Sequence, residues 1–240
     1  MRTALATVRR DPGWWHKLLV GGLLASTGIG LIMVEGYAIE SLDNTRNGFA
    51  TPLPRWRDWS LKAIQGMFGL IIDFFYFLFP ILFGGLVWGC GAVAIALLGG
   101  ASALRIVGWV IVVGVLVWLM AMWLLGVSTV AKQMYVAEGV PRESLGSKPI
   151  RTVLEPTARG LYARARLHSM PPYLLACALL AAAWYADRWS GWLALVLVWI
   201  GLAALLGARL VTIQLYGAAT QQLDRQRAQQ RRAARARNDS

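Results

Sequence analysis

The longest apolar stretch of this chain, residues 61–125, contains only three charged residues, Lys62, Asp73 and Arg105. A bilayer core about 30 Å thick takes roughly 20 apolar residues per helical crossing. The stretch is therefore too long for one crossing, and it carries too few charges for the core of a soluble domain. It predicts an integral membrane protein, and it points to no activity by itself.

The composition and the pattern of the apolar runs predict the fold class. Charged residues make up 15% of the 240 residues, against roughly 25% in soluble domains. The apolar runs are continuous, unlike the alternating segments of about ten residues that form a transmembrane barrel. We therefore predict an all-α, polytopic membrane protein with about five transmembrane helices, and four or six are the alternatives. One helical transmembrane domain is expected over residues 1–220 and an Arg-rich tail over 221–240.

Breaks between the apolar runs place the individual spans. The spans are expected near residues 18–39, 65–98, 104–125, 170–184 and 192–216, with a basic loop over 127–169. The second span can be one long helix kinked at Pro80, or a hairpin that turns at Gly84 and Gly85. Helix length favours the kinked helix, because residues 86–98 are too few for an ordinary crossing at 1.5 Å per residue.

The net charge is +12. In a membrane protein this charge indicates cytoplasmic loops more than nucleic-acid binding, because positively charged loops stay in the cytoplasm. The 127–169 loop and the tail are predicted to be cytoplasmic, in a bacterial inner membrane. The N-terminal segment and the 40–62 connection carry four basic residues each, so the side of the N-terminus stays open. Candidate contacts of the tail are its six arginines, with anionic lipid headgroups favoured over nucleic acid. These arginines are Arg225, Arg227, Arg231, Arg232, Arg235 and Arg237.

Charged residues inside predicted spans are candidate functional residues, because they are costly in a bilayer. Four are present: Glu35, Asp73, Arg105 and Arg209. An acid and a base on neighbouring spans can pair, for example Asp73 with Arg105. Such a pair would act as a structural clamp or as part of a proton or ion relay.

The sequence contains none of the motifs that we looked for as signs of catalysis or cofactor binding. We find no nucleophile elbow, phosphate-binding loop, HExxH motif or dinucleotide fingerprint. His16, His168, Cys90 and Cys177 are scattered, so a metal site built from His and Cys is not expected. The prediction is a non-enzymatic protein with no catalytic residues, no metal and no cofactor.

Three segments resemble an inner-membrane protein family encoded in integrating conjugative elements and related plasmids. They are LIMVEGYAIE at residues 31–40, the Arg142-Glu143-Ser144 stretch after a long span, and GLYARAR at residues 160–166, which leads into Pro171 and a closing helical hairpin. The resemblance covers mainly the C-terminal half. It implies an accessory subunit associated with conjugation or type IV secretion machinery, next to a coupling ATPase.

The sequence therefore supports two functional hypotheses. The first is an accessory or scaffold subunit of a larger membrane complex, in conjugative DNA transfer. The second is a transporter or channel component that uses Asp73, Glu35 and Arg105 in a polar path.

Overall fold

A computed structural model describes residues 2–238, and the side chains of residues 4–92, 102–230 and 232. The described residues form helices joined by turns and by a non-helical connection over residues 47–58, which confirms the all-α prediction. The helices are α1 (Arg2–Arg9), α2 (Trp14–Ser26), α3 (Gly30–Arg46), α4 (Trp59–Asp73), α5 (Phe79–Leu125), α6 (Val127–Glu138), α7 (Pro141–Ser144), α8 (Lys148–Leu154), α9 (Pro156–Ala186) and α10 (Gly191–Asn238). A π-helical turn, Phe74–Leu78, joins α4 to α5.

Four helical stretches among the described residues are long and apolar enough to cross a membrane. They are Trp59–Ala92, Ser102–Leu125, Pro156–Ala186 and Gly191–Gln230. The chain is thus a multi-pass membrane protein, with a span count at the lower end of the predicted range.

The first two of these stretches form an antiparallel hairpin, so the chain reverses direction within α5, between Trp88 and Gly108. Trp118 Nε1 donates a hydrogen bond to the carbonyl of Tyr76 at 3.3 Å, and Gly84 faces the side chain of Val115. In one straight helix Gly84 and Val115 would be about 46 Å apart. Gly108 lies against Trp88 further along the same hairpin, so the first limb continues past Gly84 and Gly85 and the chain does not turn at these glycines.

The predicted first span, residues 18–39, is wrong, because a turn after α2 breaks it. Gly28 has φ of +73°, a left-handed conformation that glycine adopts without strain. The Ser26 and Thr27 hydroxyls donate to the carbonyls of Leu23 and Leu24 at 2.7 and 2.8 Å, which satisfies backbone groups next to the turn. Average hydropathy cannot distinguish this broken element from a single crossing helix.

Contacts with α10 show that α2 and α3 run in opposite directions. Along α2, Leu18 lies near Gly207 and Gly22 lies against Ala203. Along α3, Glu35 pairs with Arg209, and Gln214 Nε2 donates to Thr45 Oγ1 at 2.6 Å. The α2–α3 element therefore enters and returns at one end of the bundle.

With this re-entrant element, the N-terminal segment and the 40–62 connection lie at the same end of the bundle, so both can be basic. Thr7 and Arg10 of α1 line a surface pocket with Gln214 and Gln221 of α10, so the N-terminal segment lies beside the start of the tail. Arg46 lines another pocket, together with residues of α6, α8 and the 217–227 part of α10. The N-terminal segment, the 40–62 connection, residues 127–169 and the tail thus share one end of the bundle, which we call the basic end.

The predicted 127–169 loop and the predicted start of the fourth span also need correction. Residues 127–154 form α6, α7 and α8, and α9 begins at Pro156 and continues through Pro171 and Pro172. A proline ring removes a backbone donor inside a helix, and membrane helices tolerate this where neighbouring groups satisfy the freed carbonyl. The tail is not a separate segment, because α10 runs without a break from Gly191 to Asn238.

Helices α3 and α4 cross at two glycines. Gly36 lies against the backbone of Lys62, and Gly66 lies against the carbonyl of Ile32. Small residues let helix backbones approach this closely. The crossing brings Glu35 of α3 onto Gly69 of α4, close to the end of α4.

Candidate functional site

Two acids and two bases from four helices meet at the basic end. Lys132 Nζ of α6 lies 2.7 Å from Glu35 Oε1 and 2.6 Å from Asp73 Oδ2. Arg209 Nη2 of α10 lies 3.2 Å from Asp73 Oδ2 and also pairs with Glu35 Oε2. Each base thus bridges both acids. We call Glu35, Asp73, Lys132 and Arg209 the charge cluster.

The charge cluster is largely withdrawn from solvent. The side chains of Glu35 and Lys132 are 4% and 7% exposed, and those of Asp73 and Arg209 are 26% and 33% exposed. The Ser128 hydroxyl, one turn before Lys132 on α6, donates a further hydrogen bond to Asp73 Oδ1. Because the two positive and two negative charges balance, the cluster can hold α3, α4, α6 and α10 together without an uncompensated buried charge.

The same four side chains line one cavity of about 310 Å³. Other helices close it with aromatic and polar groups, including Trp123, Arg166 and Tyr173. Arg166 of α9 is 6% exposed, and its guanidinium carbon lies 4.7 Å from the ring centroid of Trp123 and 5.5 Å from that of Tyr216. The volume falls at the lower end of the range for small-molecule sites.

Helix lengths place this cavity near the boundary of the apolar layer, away from its centre. Arg209 follows Trp192, at the opposite end of the bundle, by about 25 Å along α10, and the apolar core of a bilayer is about 30 Å thick. The hairpin gives a similar depth, because Asp73 lies about 28 Å along the first limb from Ala92. The site is therefore at the end of the spans that lies next to the basic end.

Three of the four predicted intramembrane charges come together, and the fourth does not. Glu35, Asp73 and Arg209 belong to the charge cluster. Arg105 lies on the second limb of the hairpin, three residues from Gly108, which faces Trp88. Trp88 lies about 22 Å along the first limb from Asp73. The suggested Asp73–Arg105 pair is thus wrong, and Asp73 pairs with Lys132 and Arg209 instead.

Sequence reasoning missed Lys132 and Ser128, because the segment that contains them was assigned to a basic loop. Their spacing of four residues places both side chains on one face of a helix. The left-handed Gly126 ends the hairpin and starts α6, which points this face toward Asp73. The helical spacing was therefore an available signal.

The tail arginines lie in different surroundings. Arg225 and Arg232 are exposed, whereas Arg227 pairs with Glu155 at the start of α9. The Arg227 guanidinium lowers the pKa of that carboxyl below its usual value. The side chains of Arg231, Arg235 and Arg237 lie outside the described residues. Contacts of the tail with lipid, partner or nucleic acid stay a prediction.

Metal ligands do not cluster in the described part of the chain, where no three His, Cys, Asp or Glu residues are arranged to hold an ion. The charge cluster has two carboxylates, but both are engaged by Lys132 and Arg209.

Comparisons with known proteins give a family and no activity. No curated protein and no solved structure matches the chain, and the resemblance to conjugative-element proteins stays a prediction. One family profile, described as "Protein of unknown function (DUF4013)", matches residues 19–170, from α2 to the middle of α9. Because this match spans more than half of the sequence, the chain belongs to the DUF4013 family.

Proposed function

We propose that the chain is a non-enzymatic subunit of a larger membrane complex. The observation that carries this proposal is the hairpin formed by Trp59–Ala92 and Ser102–Leu125. In the most apolar 18 residues of each limb, only 11% and 6% of the residues are buried within the chain, against 39% for the corresponding part of α10. Large side chains such as Ile106, Trp109 and Leu116 are more than half exposed. An arm of this kind offers packing surface to helices of another protein.

Conjugative DNA transfer is the machinery that we propose, on the resemblance of residues 31–40, 142–144 and 160–166. The positive-inside rule would put the basic end in the cytoplasm of an inner-membrane protein. That face would be available to a soluble partner such as a coupling ATPase. The charge cluster would then serve to fix the four helices that present this face.

Affinity purification in a mild detergent tests the subunit proposal. We expect the wild-type chain to recover a stoichiometric partner, and Leu116→Trp on the hairpin to lose it because the larger ring disrupts helix packing. Leu174→Trp on α9 is the matched control, since Leu174 is also exposed, and this variant should keep the partner. Recovery of the wild-type chain alone as a monomer would contradict the proposal.

A transport or channel role is the second candidate, and the shared cavity of Glu35 and Asp73 favours it. Arg105 no longer belongs to the path, because it lies on the other half of the hairpin. Discontinuous helices such as α2–α3 and π-turns such as Phe74–Leu78 occur at functional sites of membrane proteins. In proteoliposomes, a proton flux lost in Asp73→Asn would support this role, whereas a wild-type flux equal to that of empty liposomes would remove proton transport.

A further inference from the structure

Arg166 is a buried cation without an acidic partner among the described residues. Its side chain lines the cavity beside the charge cluster, and none of the ion pairs between described side chains includes it. Its Nε atom is buried without a hydrogen-bond partner. The contacts with Trp123 and Tyr216 use the faces of the two rings and supply no acceptor for the Nε–H group.

The cavity therefore has an excess of positive charge. Its lining includes three cations, Lys132, Arg166 and Arg209, and two carboxylates, Glu35 and Asp73. Lys132 and Arg209 already balance the charges of both carboxylates. An uncompensated buried charge is unfavourable, so the cavity is suited to a ligand that carries one negative charge.

The depth of the cavity indicates the chemistry of this ligand. The cavity lies at the end of the spans next to the basic end, at the level where the phosphate groups of lipids are found. Arginine binds phosphate through two parallel N–H donors, and basic pockets between membrane helices bind anionic headgroups. Thr129 and Tyr173, which carry hydroxyl groups, line the same cavity.

We propose that Arg166 binds the phosphate of an anionic ligand in this cavity, supplied by a lipid headgroup or by a soluble phosphate. The volume of about 310 Å³ accommodates a phosphate group but not the acyl chains of a lipid, which would extend between the helices. This site is independent of the subunit role proposed above, because it requires no partner protein.

Thermal unfolding of the full chain in dodecyl maltoside tests the site. The probes are sodium phosphate, phosphatidylglycerol, phosphatidylcholine as the zwitterionic control and succinate as a carboxylate. We expect phosphatidylglycerol or phosphate to raise the unfolding temperature of the wild type. Arg166→Gln should weaken that ligand by about tenfold or more, since it loses charge-assisted hydrogen bonds. Arg188→Gln, at the opposite end of the bundle, should respond like the wild type.

The outcomes separate the sources and the alternatives. A response to phosphatidylglycerol alone identifies a lipid headgroup, and a response to phosphate identifies a soluble anion. No response of the wild type to either probe, an equal response in Arg166→Gln, or a response to succinate alone would overturn the proposal. If Arg166→Gln does not fold, Arg166→Lys keeps the charge without the planar fork and should also weaken the ligand. Native mass spectrometry of the wild type should then show a bound anionic lipid or phosphate, and its absence there would count as refutation.

Discussion

Glu35→Ala is expected to destabilise the folded chain by about 3–5 kcal/mol, the cost of breaking a buried ion pair by removing one partner. Glu35 pairs with both Lys132 and Arg209, and its side chain is 4% exposed. Its removal leaves two cations to share Asp73. Thermal unfolding in detergent, followed by size-exclusion chromatography, measures the loss.

Two further variants make this result specific to charge balance. Glu143→Ala removes an acid that is 50% exposed and pairs with Lys148, and it should change stability little because surface pairs contribute little. Glu35→Gln combined with Arg209→Gln removes one charge of each sign and keeps the pair of Asp73 with Lys132, so it should be more stable than Glu35→Gln alone. A Glu35→Ala protein as stable as Glu143→Ala would show that the charge cluster does not hold the helices together.

Gly66→Ala is expected to separate α3 from α4, although it adds a single methyl group. A Cβ atom at Gly66 would lie 1.8 Å from the carbonyl oxygen of Ile32 and 2.9 Å from the backbone nitrogen of Gly36. Backbone atoms cannot move aside as a flexible side chain can, so we expect a loss of about 3 kcal/mol or more, at the upper end for overpacked sites. The measurement is the fraction of monodisperse protein and its unfolding temperature.

Gly114→Ala is the matched control for this prediction. A Cβ atom at Gly114 would meet no atom within 4 Å, and alanine is the better helix former by about 1 kcal/mol. The two Gly→Ala changes should therefore act in opposite directions, one destabilising and one neutral or stabilising. Equal behaviour of the two variants would be inconsistent with the close α3–α4 crossing.

The sequence was sufficient for the features that depend on length and hydropathy. The apolar stretch at 61–125 is long enough for two crossings, and the 1.5 Å rise per residue excluded a short limb at 86–98. It was not sufficient for the first element, where residues 18–39 have the length and hydropathy of a span. The turn chemistry at Ser26, Thr27 and Gly28 was the available signal, and hydropathy averages conceal it.

The charge cluster was predictable only in part, because pairing depends on the directions of the helices. Glu35, Asp73 and Arg209 were identified as unusual in apolar surroundings. Lys132 was not, since it lies in a polar segment whose burial comes from packing between α3, α4 and α10. Arg166 was assigned to the same basic loop, 127–169, although the structure buries it against the rings of Trp123 and Tyr216.

Labelling of single cysteines with a membrane-impermeant maleimide tests the central claim most directly, that the first element is re-entrant and all basic segments share one end. Arg10→Cys, Ser190→Cys and Gln229→Cys, in a background with Cys90 and Cys177 replaced by serine, place one exposed probe in each critical segment. In spheroplasts of a cell that produces the protein, we expect labelling at position 190 only, with positions 10 and 229 reacting after permeabilisation. Labelling at positions 10 and 190 but not at 229 would show that residues 18–39 cross the membrane and would contradict the account.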